Sequence, residues 1–138
     1  MPTLSMAARL IATFTLLLSA LAAPALADEF LAPEAAYRYT IDSDGRQIVV
    51  HWNVEPGYYL YKKRMGVVTG AAGETLGEPV YPQGEMHTDE YFGEQEIFRG
   101  RFDVVVPITL ESGVAAGNGV RAVPITLQRQ GCADAGLC

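Results

Sequence analysis

Apolar and polar residues alternate along residues 37–42 and again along residues 47–54. A period of two places successive side chains on opposite faces of a β-strand, so that one face can be buried. Asp44-Gly45 lies between the two segments and suits the tight turn of a hairpin. We therefore predict an antiparallel β-hairpin in which Trp52 packs into the core.

Further β-rich segments follow along the chain. One covers residues 58–69, a short strand is predicted near Val80, and residues 102–110 form a long strand with one apolar face. A last strand is predicted at residues 123–127, where Pro124 indicates an edge or a bulge because proline donates no ladder hydrogen bond. Since no long helical period follows the first residues, the pattern predicts an all-β sandwich or barrel.

Residues 82–95 show no regular period, and we predict a long irregular loop there. The segment contains the adjacent aromatic residues Tyr91 and Phe92. Disordered segments are poor in aromatic residues. We therefore expect this loop to pack against another part of the domain.

The first 27 residues have the pattern of a cleavable signal peptide. Arg9 supplies the positive charge, residues 10–21 are apolar, and residues 25–27 (Ala-Leu-Ala) offer the small side chains that signal peptidase requires. The apolar run is too short for a transmembrane helix, which takes about 20 residues. We predict a signal peptide at residues 1–27 and one folded domain at residues 28–138, exported to an oxidising compartment, the bacterial periplasm.

The charge of the chain excludes one class of partner. The formal net charge is −6 at pH 7, and removal of Arg9 with the signal peptide makes it −7. The sequence has no basic patch that could neutralise phosphates. We therefore predict that the protein does not bind nucleic acid.

The only two cysteines, Cys132 and Cys138, enclose a short loop at the end of the chain. In the chain-entropy model, closing a loop of about seven residues contributes roughly 2.4 kcal/mol, against about 4.7 kcal/mol for a hundred-residue loop. A disulfide that served to stabilise the fold would gain more by joining distant strands. We therefore favour thiol chemistry for this pair, with a minor structural bridge as the alternative.

Three segments, taken in order, resemble one protein family. They are residues 57–63 (Gly-Tyr-Tyr-Leu-Tyr-Lys-Lys), residues 89–93 (Asp-Glu-Tyr-Phe-Gly) and residues 130–138 (Gln-Gly-Cys-Ala-Asp-Ala-Gly-Leu-Cys). Together they resemble the N-terminal periplasmic domain of the DsbD thiol:disulfide interchange proteins of Gram-negative bacteria. The similarity covers nearly all of the predicted domain. It implies an immunoglobulin-like β-sandwich, in agreement with the predicted strands.

The resemblance also implies roles for individual residues. Cys132 and Cys138 would be the redox pair, in which Cys138 forms mixed disulfides with partners and Cys132 is the resolving thiol. Tyr59 and Tyr61 would line the site. Tyr91 would cover the cysteines, at a position where phenylalanine is usual. The full cap loop implied by the resemblance consists of Asp89, Glu90, Tyr91, Phe92 and Gly93.

The implied activity is that of a protein-disulfide reductase, a thiol:disulfide oxidoreductase, with no cofactor besides the Cys132–Cys138 disulfide. Its electrons would come from a membrane-embedded donor through the C-terminal thioredoxin-like domain of the full-length protein. They would pass to thioredoxin-fold periplasmic proteins: a DsbC-like isomerase, a DsbG-like protein and a thioreductase of cytochrome c maturation. The resemblance places the domain in the periplasm as part of an inner-membrane protein. Because the family continues beyond the position of Cys138 with a further strand, we expect the domain to be truncated at its C-terminal end.

The residues around the cysteines bear on their reactivity independently of the family. Gly136 makes the segment before Cys138 flexible, which favours Cys138 as the accessible sulfur. No Lys, Arg or His lies between the two cysteines in sequence, whereas Asp134 does. Negative charge disfavours a thiolate. We hypothesise that the cysteines react slowly until a partner displaces the aromatic cap.

Two other classes of function remain open. One is a non-catalytic β-sandwich binding module whose disulfide is a local clip. The other is a metal-binding module that uses both cysteines with His51 and His87, but a Cys spacing of six is not a zinc-knuckle pattern. We predict no metal site.

Overall fold

A computed structural model of the protein describes residues 30–69, 74–110 and 122–138, so the predicted signal peptide at residues 1–27 lies outside the described residues. These ranges contain one short helix, α1 (Pro33–Ala36), one 3₁₀ turn at Lys62–Arg64, and ten strands. In chain order the strands are β1 (Tyr37–Ser43), β2 (Gln47–Val54), β3 (Tyr58–Tyr61), β4 (Gly66–Thr69), β5 (Glu74–Leu76), β6 (Glu85–Asp89), β7 (Gly93–Phe98), β8 (Arg101–Leu110), β9 (Ile125–Gln128) and β10 (Gly131–Ala133).

The strands form two four-stranded antiparallel sheets and one smaller pair. The first sheet has the order β1-β2-β8-β5, the second has the order β10-β3-β7-β6, and β4 pairs with β9. The fold is therefore the predicted all-β immunoglobulin-like sandwich. Nowhere in the described ranges is there a helix long and apolar enough to cross a membrane.

The alternation in β2 produces the core between the sheets. Every second residue of β2, from Ile48 to Val54, is buried. Trp52 pairs with Phe102 of β8, and the two rings stack with their centroids 6.3 Å apart. Leu60 of the second sheet is fully buried in the same cluster. Since burial of one large apolar side chain contributes about 1.5–3 kcal/mol, this cluster holds the two sheets together.

The prediction of an irregular loop over residues 82–95 is wrong. Strands β6 and β7 pair there in an antiparallel hairpin whose tip is formed by residues 90–92. Strand β6 is an edge strand, and Met86 and Thr88 are exposed on it. None of the five residues of β6 is fully buried, so no apolar face is imposed on it and its sequence lacks the alternation that marks a half-buried strand.

Other boundaries also differ from the prediction. The β-rich segment predicted at residues 58–69 consists of β3 and β4, separated by the 3₁₀ turn, and residues 44–46 connect β1 to β2. The last predicted strand begins after Pro124, at Ile125. A separate short strand, β10, then carries Cys132. This strand places the cysteine loop at the edge of the second sheet.

Candidate redox site

The two cysteines differ sharply in their exposure. Cys132 lies in β10 opposite Tyr59 of β3, and only 1% of it is exposed. Its sulfur is bonded to that of Cys138, which is exposed, and the two Cα atoms are 4.1 Å apart. Cys138 is therefore the more accessible of the two residues to a thiolate from another molecule.

Glycine is required where β10 approaches β3. A Cβ atom on Gly131 would lie 2.1 Å from the carbonyl oxygen of Tyr59 and 2.8 Å from the hydroxyl of Tyr37. The missing side chain allows β10 to pair with β3 and brings Cys132 against the buried tyrosines. The sequence motif included this glycine, but its steric role is visible only once the two strands are paired.

Backbone hydrogen bonds hold the loop between the cysteines. The amide of Asp134 donates to the carbonyl of Gly57 at 2.8 Å, and the amide of Ala133 donates to the carbonyl of Leu137 at 2.7 Å. Gly136 adopts a φ of +99°, which favours glycine. The loop is thus a compact turn that presents Cys138 at its end.

A short hydrogen-bonded chain leads from the buried sulfur to a carboxylate of the cap. The hydroxyl oxygen of Tyr61 lies 3.0 Å from the sulfur of Cys132 and donates its proton to Asp89 at 2.5 Å. Tyr59 also donates to Asp89, at 3.2 Å. Burial, followed by the hydrogen bond to Asp89, raises the pKa of Tyr61. The hydrogen bond from Tyr61 is the largest of the causes that lower the pKa of Asp89.

This chain has a consequence for the reduced pair. Because the single proton of Tyr61 lies towards Asp89, the hydroxyl oxygen faces Cys132 as an acceptor. Once the disulfide is reduced, a Cys132 thiol can donate a hydrogen bond to that oxygen.

The cap is formed at the tip of the β6–β7 hairpin. The second oxygen of Asp89 accepts hydrogen bonds from the amides of Tyr91 and Phe92, at 2.9 and 2.8 Å, and these bonds fix the turn. Phe92 packs edge-on against Tyr61, with the ring centroids 5.0 Å apart. Tyr91 donates a hydrogen bond from its hydroxyl to the carbonyl of Gly136 at 2.5 Å. The expected packing of this segment is confirmed.

The remaining two cap residues make no comparable contact with the cysteine loop. Glu90 is exposed at the tip of the hairpin. Gly93 begins β7 with a φ of +67°, which allows the chain to leave the turn. Both residues therefore belong to the cap by position.

Basic side chains from other parts of the chain contact the site, although none lies between the two cysteines in sequence. The guanidinium of Arg64, in the 3₁₀ turn, lies 3.8 Å from the centroid of the Phe92 ring. Lys62 forms an ion pair with Glu96 at 2.8 Å. Arg99 forms an ion pair with Asp134 in the cysteine loop at 2.8 Å. The charge of Asp134 is therefore partly neutralised, which the sequence-based hypothesis did not include.

The two histidines lie in different sheets. In β2, His51 contacts Asp103 at 2.7 Å and Asp42 at 3.1 Å. His87, in β6, packs its ring 4.7 Å from that of Tyr59. Among residues 30–69, 74–110 and 122–138, no three His, Cys, Asp or Glu side chains are arranged to hold a metal ion.

The sequence of this domain matches one family over its whole described length. Residues 27–138 match the N-terminal domain of the thiol:disulfide interchange protein DsbD. The chain belongs to the DsbD N-terminal domain family. The DsbD of Klebsiella pneumoniae is 35% identical over 138 residues, an alignment that covers 96% of this chain and 21% of that protein. DsbD 2 of Pseudomonas aeruginosa is 39% identical over 111 residues, covering 80% of this chain and 16% of the relative.

Solved structures of DsbD N-terminal domains have the same fold. The reduced domain from Neisseria meningitidis has a TM-score of 0.67 and 28% identity, with 79% of this chain and 81% of that chain covered. A complex between the DsbD and PilB N-terminal domains of the same organism has a TM-score of 0.59 and 27% identity, with 80% of each chain covered. The chain spans about a fifth of the length of the curated DsbD proteins that it matches.

Proposed function

We propose that this domain carries electrons by thiol–disulfide exchange, cycling between a Cys132–Cys138 disulfide and a dithiol. The observation that supports this most is the asymmetry of the pair. An exposed Cys138 is bonded to a Cys132 that is almost fully buried beneath an aromatic cap. Exchange between proteins requires one sulfur that a partner can reach and a second that can release the partner.

In the reducing direction, the Cys138 thiolate attacks one sulfur of a partner's disulfide. A mixed disulfide forms, and the other partner sulfur leaves as a thiolate, which takes up a proton. The Cys132 thiol then loses its proton and attacks the sulfur of Cys138. The partner leaves as a dithiol, and two electrons have passed from this domain to the partner.

The Tyr61–Asp89 pair controls the second step. The hydroxyl oxygen of Tyr61 lies 3.0 Å from the sulfur of Cys132. Tyr61 can therefore accept a hydrogen bond from the Cys132 thiol and keep that thiol protonated until the mixed disulfide has formed. The cap controls the first step, since a partner must move Tyr91 and Phe92 aside. Together they make the reduced pair slow towards small oxidants and reactive towards a docked protein.

The partners that we propose are proteins of the thioredoxin fold. The complex of a DsbD N-terminal domain with a PilB N-terminal domain supports this class. By family resemblance, the donor is the C-terminal thioredoxin-like domain of the full-length protein, and the acceptors are a DsbC-like isomerase, a DsbG-like protein and a thioreductase of cytochrome c maturation. The reaction takes place in the periplasm, on a domain of an inner-membrane protein. Net flow towards these acceptors makes the domain a protein-disulfide reductase.

Trapping of the mixed disulfide tests this proposal. A Cys132→Ala variant is labelled at Cys138 with thionitrobenzoate and mixed with a reduced PilB N-terminal domain that keeps only its attacking cysteine. We expect rapid release of thionitrobenzoate and a covalent one-to-one adduct. The matched Cys138→Ala variant, which leaves only the buried sulfur, should react far more slowly.

Two results would overturn the proposal. One is the absence of any adduct, and the other is adduct formation at the same rate in both variants. Either result would favour a β-sandwich binding module with a structural disulfide.

A further inference from the structure

Arg99, which follows β7, joins the cysteine loop to strand β6 through its guanidinium. Its two Nη atoms donate to the two carboxylate oxygens of Asp134, at 2.8 and 3.0 Å. Its Nε donates to Glu85 of β6 at 2.8 Å, and the group lies 4.9 Å from the centroid of the Tyr59 ring. This planar fork has one fixed orientation, because three acceptor oxygens and an aromatic face define it.

Asp134 occupies the position in the loop where such an anchor has most effect. It follows β10 directly, two residues after Cys132 and four before Cys138. Its backbone amide is fixed to the carbonyl of Gly57, and its side chain is fixed by Arg99. Because both the backbone and the side chain of Asp134 are anchored, the direction in which the chain leaves β10 is fixed.

Opening of the disulfide removes the covalent link that holds Cys138. Near the start of the loop, two contacts of Asp134 still attach the loop to the sheet: the ion pair of its side chain with Arg99, and the hydrogen bond from its amide to the carbonyl of Gly57. Near its end, the hydrogen bond from Tyr91 to Gly136 depends on a closed cap. When a partner displaces the cap, the attachment through Asp134 remains.

We propose that Arg99 is a positioning residue for the redox pair, which keeps the two thiols close together in the reduced domain. The stability of a disulfide relative to its dithiol depends on how closely the protein holds the two thiols, because a freely moving thiol gains conformational entropy when the bond opens. Arg99 limits that gain by restraining the loop. This inference rests on the proposed function in that it concerns the same redox pair.

The test measures the equilibrium between the domain and dithiothreitol. Dithiothreitol supplies two electrons and two protons: it becomes a cyclic disulfide while Cys132 and Cys138 become thiols. In Arg99→Met we expect the equilibrium constant for disulfide formation to fall by up to about fivefold, because the restraint on the loop cannot contribute more than the whole of one partly exposed bidentate ion pair. For a two-electron couple a fivefold fall raises the midpoint potential by about 20 mV.

A double-mutant cycle separates positioning from a general structural role. Asp134→Asn should give the same shift as Arg99→Met, and the double variant should shift no further than either one. Arg99→Lys, which keeps the charge but loses the fork, should give a smaller shift. The matched control is Arg38→Met, which breaks an ion pair with Glu55 at the other sheet and should leave the potential unchanged.

Two outcomes would overturn the assignment. One is a wild-type potential in Asp134→Asn, which alters an exposed loop residue and does not depend on the folding of an Arg99 variant. The other is a double variant whose shift equals the sum of the two single shifts. The proposed function is tested separately: a domain that forms no adduct in the trapping experiment yet shows these shifts would lose that function and keep the role of Arg99.

Discussion

Removal of one hydroxyl group should loosen the cap. Tyr91 donates from its hydroxyl to the carbonyl of Gly136 at 2.5 Å, while nearly half of the residue, 47%, is exposed. Tyr91→Phe therefore deletes the hydrogen bond with little loss of packing. A neutral hydrogen bond contributes about 0.5–1.5 kcal/mol net, which corresponds to a factor of roughly 2 to 12 in the ratio of closed to open cap.

The rate of exchange should rise by the same factor if the open cap is a minor state through which the disulfide reacts. The assay is reduction of the Cys132–Cys138 disulfide by excess dithiothreitol at fixed pH, with alkylation of the free thiols and mass spectrometry at each time point. The control is Tyr39→Phe, which alters another half-exposed tyrosine, on the other sheet. A Tyr91→Phe rate equal to or below that of the wild type would refute the idea that the Tyr91–Gly136 hydrogen bond keeps the cap closed.

Three further predictions concern stability and the cap. Gly131→Ala should destabilise the domain by about 3 kcal/mol, because the new Cβ would meet the carbonyl oxygen of Tyr59 at 2.1 Å; a urea midpoint equal to that of the wild type would contradict this. The pKa of His51 is raised, mainly by its hydrogen bond to Asp103. The protonated His51 therefore stabilises the fold fully below the unfolded pKa near 6.5, and this stabilisation is lost as the pH rises through the folded pKa. The difference in Tm between wild type and His51→Gln should therefore be largest near pH 5 and shrink towards pH 8, and a constant difference would count against it. Arg64→Met should speed reduction by dithiothreitol about two- to fivefold, because a cation–π contact of about 0.5–1 kcal/mol on the cap is lost; an unchanged rate would argue against that contact.

The fold could be predicted where one face of a strand is buried. In β2 the alternation from Ile48 to Val54 follows directly from burial against the second sheet. Strand β6 could not be predicted in this way. Its residues lie at the edge of a sheet, and Met86 is 63% exposed, so no apolar face is imposed on the sequence.

The candidate site likewise has some features that the sequence could predict and others that it could not. The short spacing of the cysteines indicates thiol chemistry, and the adjacent aromatics indicate a packed cap, because both signals are local in sequence. The contact of Arg99 with Asp134 joins residues 35 positions apart and arises only when β7 and β10 take their places in the second sheet. The position of Arg64 over Phe92 depends in the same way on the turn after β3. Such contacts leave no periodic pattern.

In the proposed function, the Cys132–Cys138 bond is exchanged with partner proteins rather than serving only to stabilise the fold. We would test this by measuring its midpoint potential in a glutathione or dithiothreitol series. We expect a value of roughly −180 to −270 mV, in the range of proteins that exchange disulfides. A midpoint far below about −300 mV, typical of structural disulfides, would contradict it.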